Sequence, residues 1–312
     1  MRRLLEYCGY RFMAFFVPLL PRAAAAWLGR ALGRNYFRFS TRARTVAFEN
    51  LRLAMPDLPD QKRVLRRVHE YQGVALLDAL WCSRLARDDD SYLSLGEDGA
   101  MAEAIEILKS GRGAVMATAH FGSWEMFCAC SASVGIPNTL VIARKVRNER
   151  IDRHMQAGRQ RHGNRMVNRK KAMKACLREL RGGGFVVSVM DIAVLPKEGG
   201  LFSDFFGIPA ITSSAIPYLA LRTNAPLFFV VCRPVDGGKR YVLEGERIRV
   251  DRDADQKVEA ARLTDELNRA LERKVREHPD CWLWSYKRWK WRPAETGQEH
   301  FPAYSLWTHT LW

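Results

Sequence analysis

Residues 113–125 read GAVMATAHFGSWE, and this stretch predicts the fold of the chain around it. Its first seven residues form a short apolar run that begins at a glycine, which is typical of a strand buried on both faces. Gly122 then permits a tight turn, and Ser123 is a favourable helix N-cap. We therefore predict a strand that ends near His120, a turn at Gly122 and a helix that begins after Ser123.

The same pattern of an apolar run followed by a helical stretch recurs along the chain. Further apolar runs are NTLVIA at 138–143, FVVSVM at 185–190 and LFFVVC at 227–232. Helical patterns cover residues 60–85, 99–110, 124–134, 149–161, 170–181 and 254–277. Alternating strands and helices predict an α/β fold, with a mostly parallel central sheet flanked by helices.

The first 55 residues differ from the rest in composition, with ten Lys and Arg against two acids. Aromatic and basic residues alternate there, as in a helix that lies in the membrane interface. The longest uncharged run, residues 12–21, is about half of the ~20 residues that a membrane span needs. We predict a membrane-associating segment over 1–55, an α/β domain over 56–293 and an aromatic tail over 294–312. A cleaved signal peptide, suggested by Arg2, Arg3 and the alanines at 23–26, is the alternative.

The formal net charge of +16 indicates an anionic partner, which could be a membrane, an acidic protein or nucleic acid. Residues 144–181 concentrate this charge, with fourteen Lys and Arg against three acids. The sequence contains no nucleic-acid-binding module, so nucleic acid is the disfavoured partner. The seven cysteines are scattered and follow no metal-binding spacing, so we expect no metal site.

Polar residues follow each of the four predicted strands. They are His120, Arg144, Asp191 and Arg233. Ligands of open α/β sheets bind at the carboxyl ends of the strands, so these four residues define a candidate site.

His120 and Glu125 are the predicted catalytic pair. The turn at Gly122 would fold the first helical turn back and bring Glu125 onto the imidazole. A carboxylate on one ring nitrogen fixes the tautomer and supports proton uptake at the other, which makes a general base for an alcohol. A structural histidine with a chance His-x4-Glu spacing is the competing interpretation. No Gly-x-Ser-x-Gly motif, P-loop, dinucleotide fingerprint or His-Glu-x-x-His site is present.

Residues 282–292 interleave tryptophans with Lys and Arg. This alternation would place Trp282, Trp284 and Tyr286 on one face, which favours an edge strand partly in the core. Aromatic residues mixed with cations also suit a membrane interface.

These motifs resemble those of the bacterial lipid A biosynthesis acyltransferase family, which is related to the glycerolipid acyltransferases. The resemblance covers most of the chain. It is carried by AHFGSWE at 119–125, NLRLAMP at 50–56, RQRHG at 159–163, Met190-Asp191, FFGIPAIT at 205–212 and WLWSYKRWKWRP at 282–293. The chain departs from the family in having Ile192 after Asp191, and its N-terminal apolar segment is weak.

The resemblance implies transfer of a fatty acyl group from acyl carrier protein to a hydroxyl of a lipid A precursor. His120 would be the general base, Glu125 would orient it, and either backbone N–H groups near Gly122 or an arginine would stabilise the oxyanion. Contacts with substrate would come from Arg144, Arg159, Arg161, Asp191, Thr212 and Arg233. No cofactor or metal is implied.

The same resemblance places a monomer on the cytoplasmic face of the inner membrane, with the carrier protein and an anionic lipid as partners. A glycerolipid or a glycosylated inositol lipid is the alternative acceptor, and acyl-CoA is the alternative donor. A nucleic-acid-binding protein and a non-catalytic membrane-surface protein are the rival functions.

Overall fold

The computed structural model describes residues 2–86, 89–136, 139–143, 145–168, 172–293 and 296–307. The helices are α1 (Arg2–Phe16), α2 (Arg22–Phe39), α3 (Thr41–Ala54), α4 (Gln61–Trp81), α5 (Ala100–Lys109), α6 (Trp124–Cys130), α7 (Glu149–Arg161), α8 (Ala172–Arg181), α9 (Ala215–Thr223) and α10 (Gln256–Glu277). The strands are β1 (Leu93–Leu95), β2 (Ala114–Thr118), β3 (Thr139–Ala143), β4 (Arg165–Asn168), β5 (Phe185–Val189), β6 (Gly200–Phe205), β7 (Ile208–Ser213), β8 (Leu227–Val235), β9 (Arg240–Ile248), β10 (Trp291–Arg292) and β11 (Leu306–Trp307).

A seven-stranded sheet in the order β1-β9-β8-β2-β5-β3-β4 forms the centre of the molecule. Its pairs are parallel except for the antiparallel pairing of β8 with β9. The predicted α/β fold with a mostly parallel, helix-flanked sheet is confirmed. The register of β2 and β5 pairs Thr118 with Val189. The residues that follow these two strands therefore leave the sheet side by side.

Both faces of β2 are buried, which explains its continuous apolar run. Val115 and Ala117 pack into the core that α4, α8, α9 and α10 complete. Ala114 and Met116 pack into a second core on the other face of the sheet, with α5 and α6. Side chains alternate between the two faces of a strand, so one strand supports both cores.

The N-terminal helices pack on the α/β unit through glycines. A Cβ on Gly33 would overlap the His69 carbonyl oxygen of α4, and a Cβ on Gly73 would overlap the Gly29 carbonyl oxygen of α2. Helices α2 and α4 therefore approach more closely than larger residues would allow. Within the described residues, no helix combines the length and apolar character that crossing a bilayer requires.

Two predicted elements differ from the structure. Arg233 lies inside β8, because pairing with β9 carries β8 on to Val235. The predicted edge strand at 282–292 is wrong: residues 281–290 form turns and bends with an isolated bridge at Trp282, and only Trp291 and Arg292 are in a strand. Trp282 and Trp284 are both fully buried and pack edge to face at 4.7 Å between ring centroids. The position of this segment follows from the packing of its aromatic side chains, which the alternation of aromatic and basic residues in the sequence does not encode.

Candidate active site

His120 and Asp191 meet at the carboxyl edge of the sheet. The His120 Nδ1 atom lies 2.8 Å from Asp191 Oδ1, and the His120 backbone N–H donates to Asp191 Oδ2 at 2.9 Å. Both residues stand two positions beyond the paired residues Thr118 and Val189, so the strand register aligns them. The sequence placed each residue at a strand end, but it did not indicate that these two strands are neighbours.

Trp282 completes the surroundings of the carboxylate. Its indole N–H donates to Asp191 Oδ2 at 2.9 Å. An isolated bridge between Phe121 and Trp282 holds the two segments together. Asp191 is only 2% exposed, and its three donors satisfy the charge that burial would otherwise penalise. Trp282 was interpreted from the sequence as a core or membrane residue, and no local pattern indicated this bond.

The contact between His120 and Asp191 shifts the pKa values of the two side chains in opposite directions. Burial favours the neutral imidazole, but the Asp191 carboxylate outweighs it and raises the pKa of His120 above its ordinary value of 6.5. Burial likewise favours the protonated acid, but His120 and Trp282 lower the pKa of Asp191 below 3.8. Asp191 is therefore ionised at neutral pH and can only accept, which places the ring proton on Nδ1.

The other ring nitrogen of His120 is available for chemistry. The side chain is 31% exposed, and Nε2 has no hydrogen-bond partner among the described residues. An imidazole that is protonated on Nδ1 presents a lone pair on Nε2, which is the arrangement of a general base.

Glu125 does not fill the role predicted for it. Its carboxylate receives two bonds from Arg159, at 2.5 Å from Nη2 and 3.1 Å from Nε. The prediction that Glu125 orients His120 is therefore corrected: Asp191 holds the ring, and Glu125 connects α6 to α7. Glu125 lies in the first turn of α6, within reach of the Arg159 side chain of α7. Asp191 follows β5, which pairs with β2 and so places Asp191 beside His120.

Arg159 was predicted to contact substrate, but it has structural partners here. Besides Glu125, its guanidinium stacks 4.5 Å from the centroid of the Trp124 ring. Both members of the Arg159–Glu125 pair are nearly buried. The removal of either partner would leave a poorly solvated charge.

Gly122 forms the predicted turn, and its position requires glycine. Its φ is +65°, and a Cβ would overlap the carbonyl oxygen of Cys232. The Gly122 N–H donates to the Cys281 carbonyl at 2.9 Å, and the Ser123 N–H donates to Cys232 at 3.2 Å. The N–H groups of Gly122 and Ser123 are therefore occupied, and stabilisation of an oxyanion by other N–H groups near Gly122 stays a prediction. Ser123 caps α6 as predicted.

The remaining predicted substrate contacts are dispersed. Thr212 is 1% exposed and accepts from the buried Arg288 at 2.5 Å, so its predicted contact with substrate is wrong. Arg233 donates to Glu244 at 2.7 Å from Nε, across the hairpin formed by β8 and β9. Arg161 is exposed at the end of α7. Arg144 lies outside the described residues.

A cavity adjoins Glu125 on the side of α1. It has about 500 Å³ of space, part of which is open solvent, and its walls come mainly from α1, α4, α6 and α7. Leu80, Cys128 and Met155 give it apolar surface, while Glu125 and Arg159 form a polar edge. Tyr10 and His154 line it on the N-terminal side, where Tyr10 Oη lies 3.0 Å from His154 Nδ1.

The sequence over residues 2–291 matches the family model described as bacterial lipid A biosynthesis acyltransferase. The chain belongs to this family. It is similar to a lipid A biosynthesis lauroyltransferase of Escherichia coli (strain K12), with 25% identity over 294 residues and 89% of each chain covered. It is also 23% identical, over 289 residues and 88% of each chain, to a palmitoleoyltransferase of that organism and to a lipid A biosynthesis acyltransferase of Shigella flexneri.

Membership of the lipid A acyltransferase family agrees with the geometry at the sheet edge. A general base assists acyl transfer to a hydroxyl, and the unbonded Nε2 of His120 has the geometry that such a base requires. The resemblance inferred from the sequence motifs is confirmed over residues 2–291.

Proposed function

We propose that this protein transfers a fatty acyl group from acyl carrier protein to a hydroxyl of a lipid A precursor. The observation that carries the proposal is the contact of His120 Nδ1 with Asp191, which leaves Nε2 unbonded at the carboxyl edge of the sheet. The names of the relatives support the acyltransferase class and a lipid A acceptor.

In the proposed reaction, His120 Nε2 removes the proton of the acceptor hydroxyl as its oxygen attacks the thioester carbonyl. The C–O bond forms, and a tetrahedral oxyanion results. Collapse of this intermediate breaks the C–S bond, and the leaving thiolate takes the proton from the imidazolium. Asp191 remains ionised throughout and stabilises the imidazolium. Proton transfer of this kind supplies about 10²–10⁴-fold in rate, so positioning and charge stabilisation must supply the rest.

The protein would work at a membrane surface, because its substrate is a lipid. Large exposed apolar side chains are concentrated on α1 and α2, among them Phe12, Phe15, Trp27 and Phe39. Aromatic side chains next to arginines favour the interface of an anionic membrane. We propose peripheral association through these helices on the cytoplasmic face, where an acyl carrier protein would be available.

The test is mass spectrometry of lipids after incubation of the purified protein with acyl carrier proteins and a panel of acceptors. We expect a lipid A precursor to gain one acyl mass, and His120→Ala to lower the rate by at least about 10²-fold. His300→Ala, the same change at an exposed histidine, is the control and should act as wild type.

Acylation of a glycerolipid instead would retain the chemistry and reject the acceptor. A His120→Ala rate within about tenfold of wild type would reject the proposed base. Transfer from acyl-CoA at an equal rate would reject the preference for the carrier protein.

A further inference from the structure

An open cleft lies between the N-terminal helix α1 and the basic helix α7. It has about 770 Å³ of space, part of which is open solvent, and is lined by Tyr7, Arg150, Arg153 and His154. Two bonds hold its walls together: Asn148 Nδ2 donates to the Arg3 carbonyl at 2.7 Å, and Tyr10 Oη lies 3.0 Å from His154 Nδ1. The cleft is therefore a fixed concave surface between two helices.

The lining carries positive charge without compensation. Arg150 and Arg153 are exposed, and neither forms an ion pair within the described part of the chain. The Arg150 guanidinium carbon lies 5.8 Å from the centroid of the Tyr7 ring. This cation–π contact holds the guanidinium group beside the cleft. Guanidinium groups that converge on one cavity without carboxylates favour an oxyanion, and phosphate accepts their paired donors well.

Charges behind the lining strengthen this preference. His154 is surrounded by Tyr10 and Arg11 of α1 and by Arg161 of α7. Burial, and then the charges of Arg11 and Arg161, lower the pKa of His154 below its ordinary value of 6.5. An anion bound in the cleft would be attracted by the positive charges of Arg11 and Arg161.

The position of the cleft indicates an anion that belongs to a lipid. Helix α1 presents exposed Leu5, Phe12 and Phe15, so a lipid with its chains in the bilayer could place its headgroup there. The cleft also shares His154 with the cavity beside Glu125, and α7 contributes Arg159 to that cavity. A headgroup held by Arg150 and Arg153 would therefore lie on the same helix that meets the catalytic segment.

We propose that Tyr7, Arg150, Arg153 and His154 form a binding site for a phosphate group of the acceptor lipid. The proposal rests on the proposed function, because it takes the acceptor to be a phosphorylated lipid. The site would fix the acceptor at the membrane surface, so it should contribute to acceptor affinity and not to the chemical step.

The first test needs no turnover. The His154 ring is followed by NMR in the full-length protein in detergent micelles, with His154→Gln used for assignment. We expect inorganic phosphate to raise the pKa of His154, and Arg150→Gln/Arg153→Gln to abolish this change. Arg222→Gln/Arg249→Gln removes two exposed arginines elsewhere and should retain the response. An unchanged response in the Arg150/Arg153 variant would overturn the site.

The same measurement with lipid vesicles distinguishes binding of a lipid headgroup from binding of free phosphate. We expect phosphatidic acid in phosphatidylcholine vesicles to raise the pKa of His154 at lower concentrations than inorganic phosphate. A response to inorganic phosphate alone would overturn assignment to a lipid.

Kinetics provide the second test. We expect Arg150→Gln/Arg153→Gln to raise the KM for a phosphorylated acceptor about tenfold or more, with kcat and the KM for the donor within about threefold of wild type. A rise in the donor KM alone would assign the cleft to the acidic carrier protein and overturn the proposal. A phosphate response without acylation of any lipid A precursor would reject the proposed function and leave the anion site standing.

Discussion

At the scale of single residues, the active site depends on which carboxylate meets His120. Asp191 bonds both the ring and the backbone N–H of His120, whereas Glu125 is held by Arg159. A histidine held at two points has a restricted ring orientation, which general base catalysis needs. The His-x4-Glu spacing therefore marks the segment that we propose to be catalytic without describing its hydrogen bonds.

Asp191→Asn should change the pH dependence of the reaction, and Glu125→Gln is the matched control. The general base must be neutral, so activity falls as the pH drops through the raised pKa of His120. Without the Asp191 charge, burial lowers this pKa, and the acid limb of kcat/KM should move to lower pH. We also expect kcat to fall about 10²–10⁴-fold.

Glu125→Gln should leave the acid limb where it is in wild type, because Glu125 does not contribute to the pKa of His120. Rate profiles measured from pH 5 to 9 distinguish the two variants. A shift of the limb in Glu125→Gln, with none in Asp191→Asn, would restore Glu125 as the partner of His120.

At the scale of elements, the N-terminal helices are attached by close backbone packing and a buried ionic cluster. Arg22 of α2 donates to Asp78 of α4 at 2.5 Å, and Tyr241 of β9 also donates to Asp78. The cluster thus connects α2, α4 and strand β9 of the sheet.

Gly33→Ala should destabilise the docking of α2 on α4. The new Cβ would overlap the His69 carbonyl oxygen, and overpacking of this kind costs about 1–3 kcal/mol. Gly9→Ala is the control, because a Cβ at this position in α1 meets nothing within 4 Å. It should be neutral or stabilise by about 0.5–1 kcal/mol through helix propensity. Thermal unfolding followed by circular dichroism measures both. Equal midpoints for the two variants would contradict the packing argument.

At the scale of the whole molecule, the protein has both a high positive charge and exposed aromatic side chains, two features that favour an anionic membrane surface. The net charge is +16, and the exposed aromatic residues lie on the N-terminal helices. In the proposed association, electrostatic attraction would bring the protein to an anionic bilayer, and insertion of the aromatic side chains would retain it there. Neither contribution requires a membrane-spanning helix.

Phe12→Ser/Phe15→Ser should weaken binding to anionic vesicles by at least about tenfold, because each ring loses its apolar burial in the interface. The two rings are 62% and 65% exposed in the protein, so the fold should tolerate the change. Val258→Ser, at a similarly exposed apolar side chain on α10, is the control and should bind as wild type. Vesicle co-sedimentation provides the measurement. Equal binding by all three proteins would reject membrane association through α1.

The sequence by itself determined the α/β class, the strands at β2, β3, β5 and β8, and the turn and cap at Gly122 and Ser123. These features depend on local apolar periodicity and turn chemistry, which neighbouring residues encode. The sequence also placed His120 and Asp191 at strand ends.

Only the tertiary structure decided that β5 lies beside β2, and therefore that Asp191 reaches His120 while Glu125 pairs with Arg159. Strand order joins segments about 70 residues apart, such as Thr118 and Val189, and no local pattern specifies it. The burial of Thr212 and the contact of Trp282 with Asp191 arise in the same way, since packing between distant segments determines both.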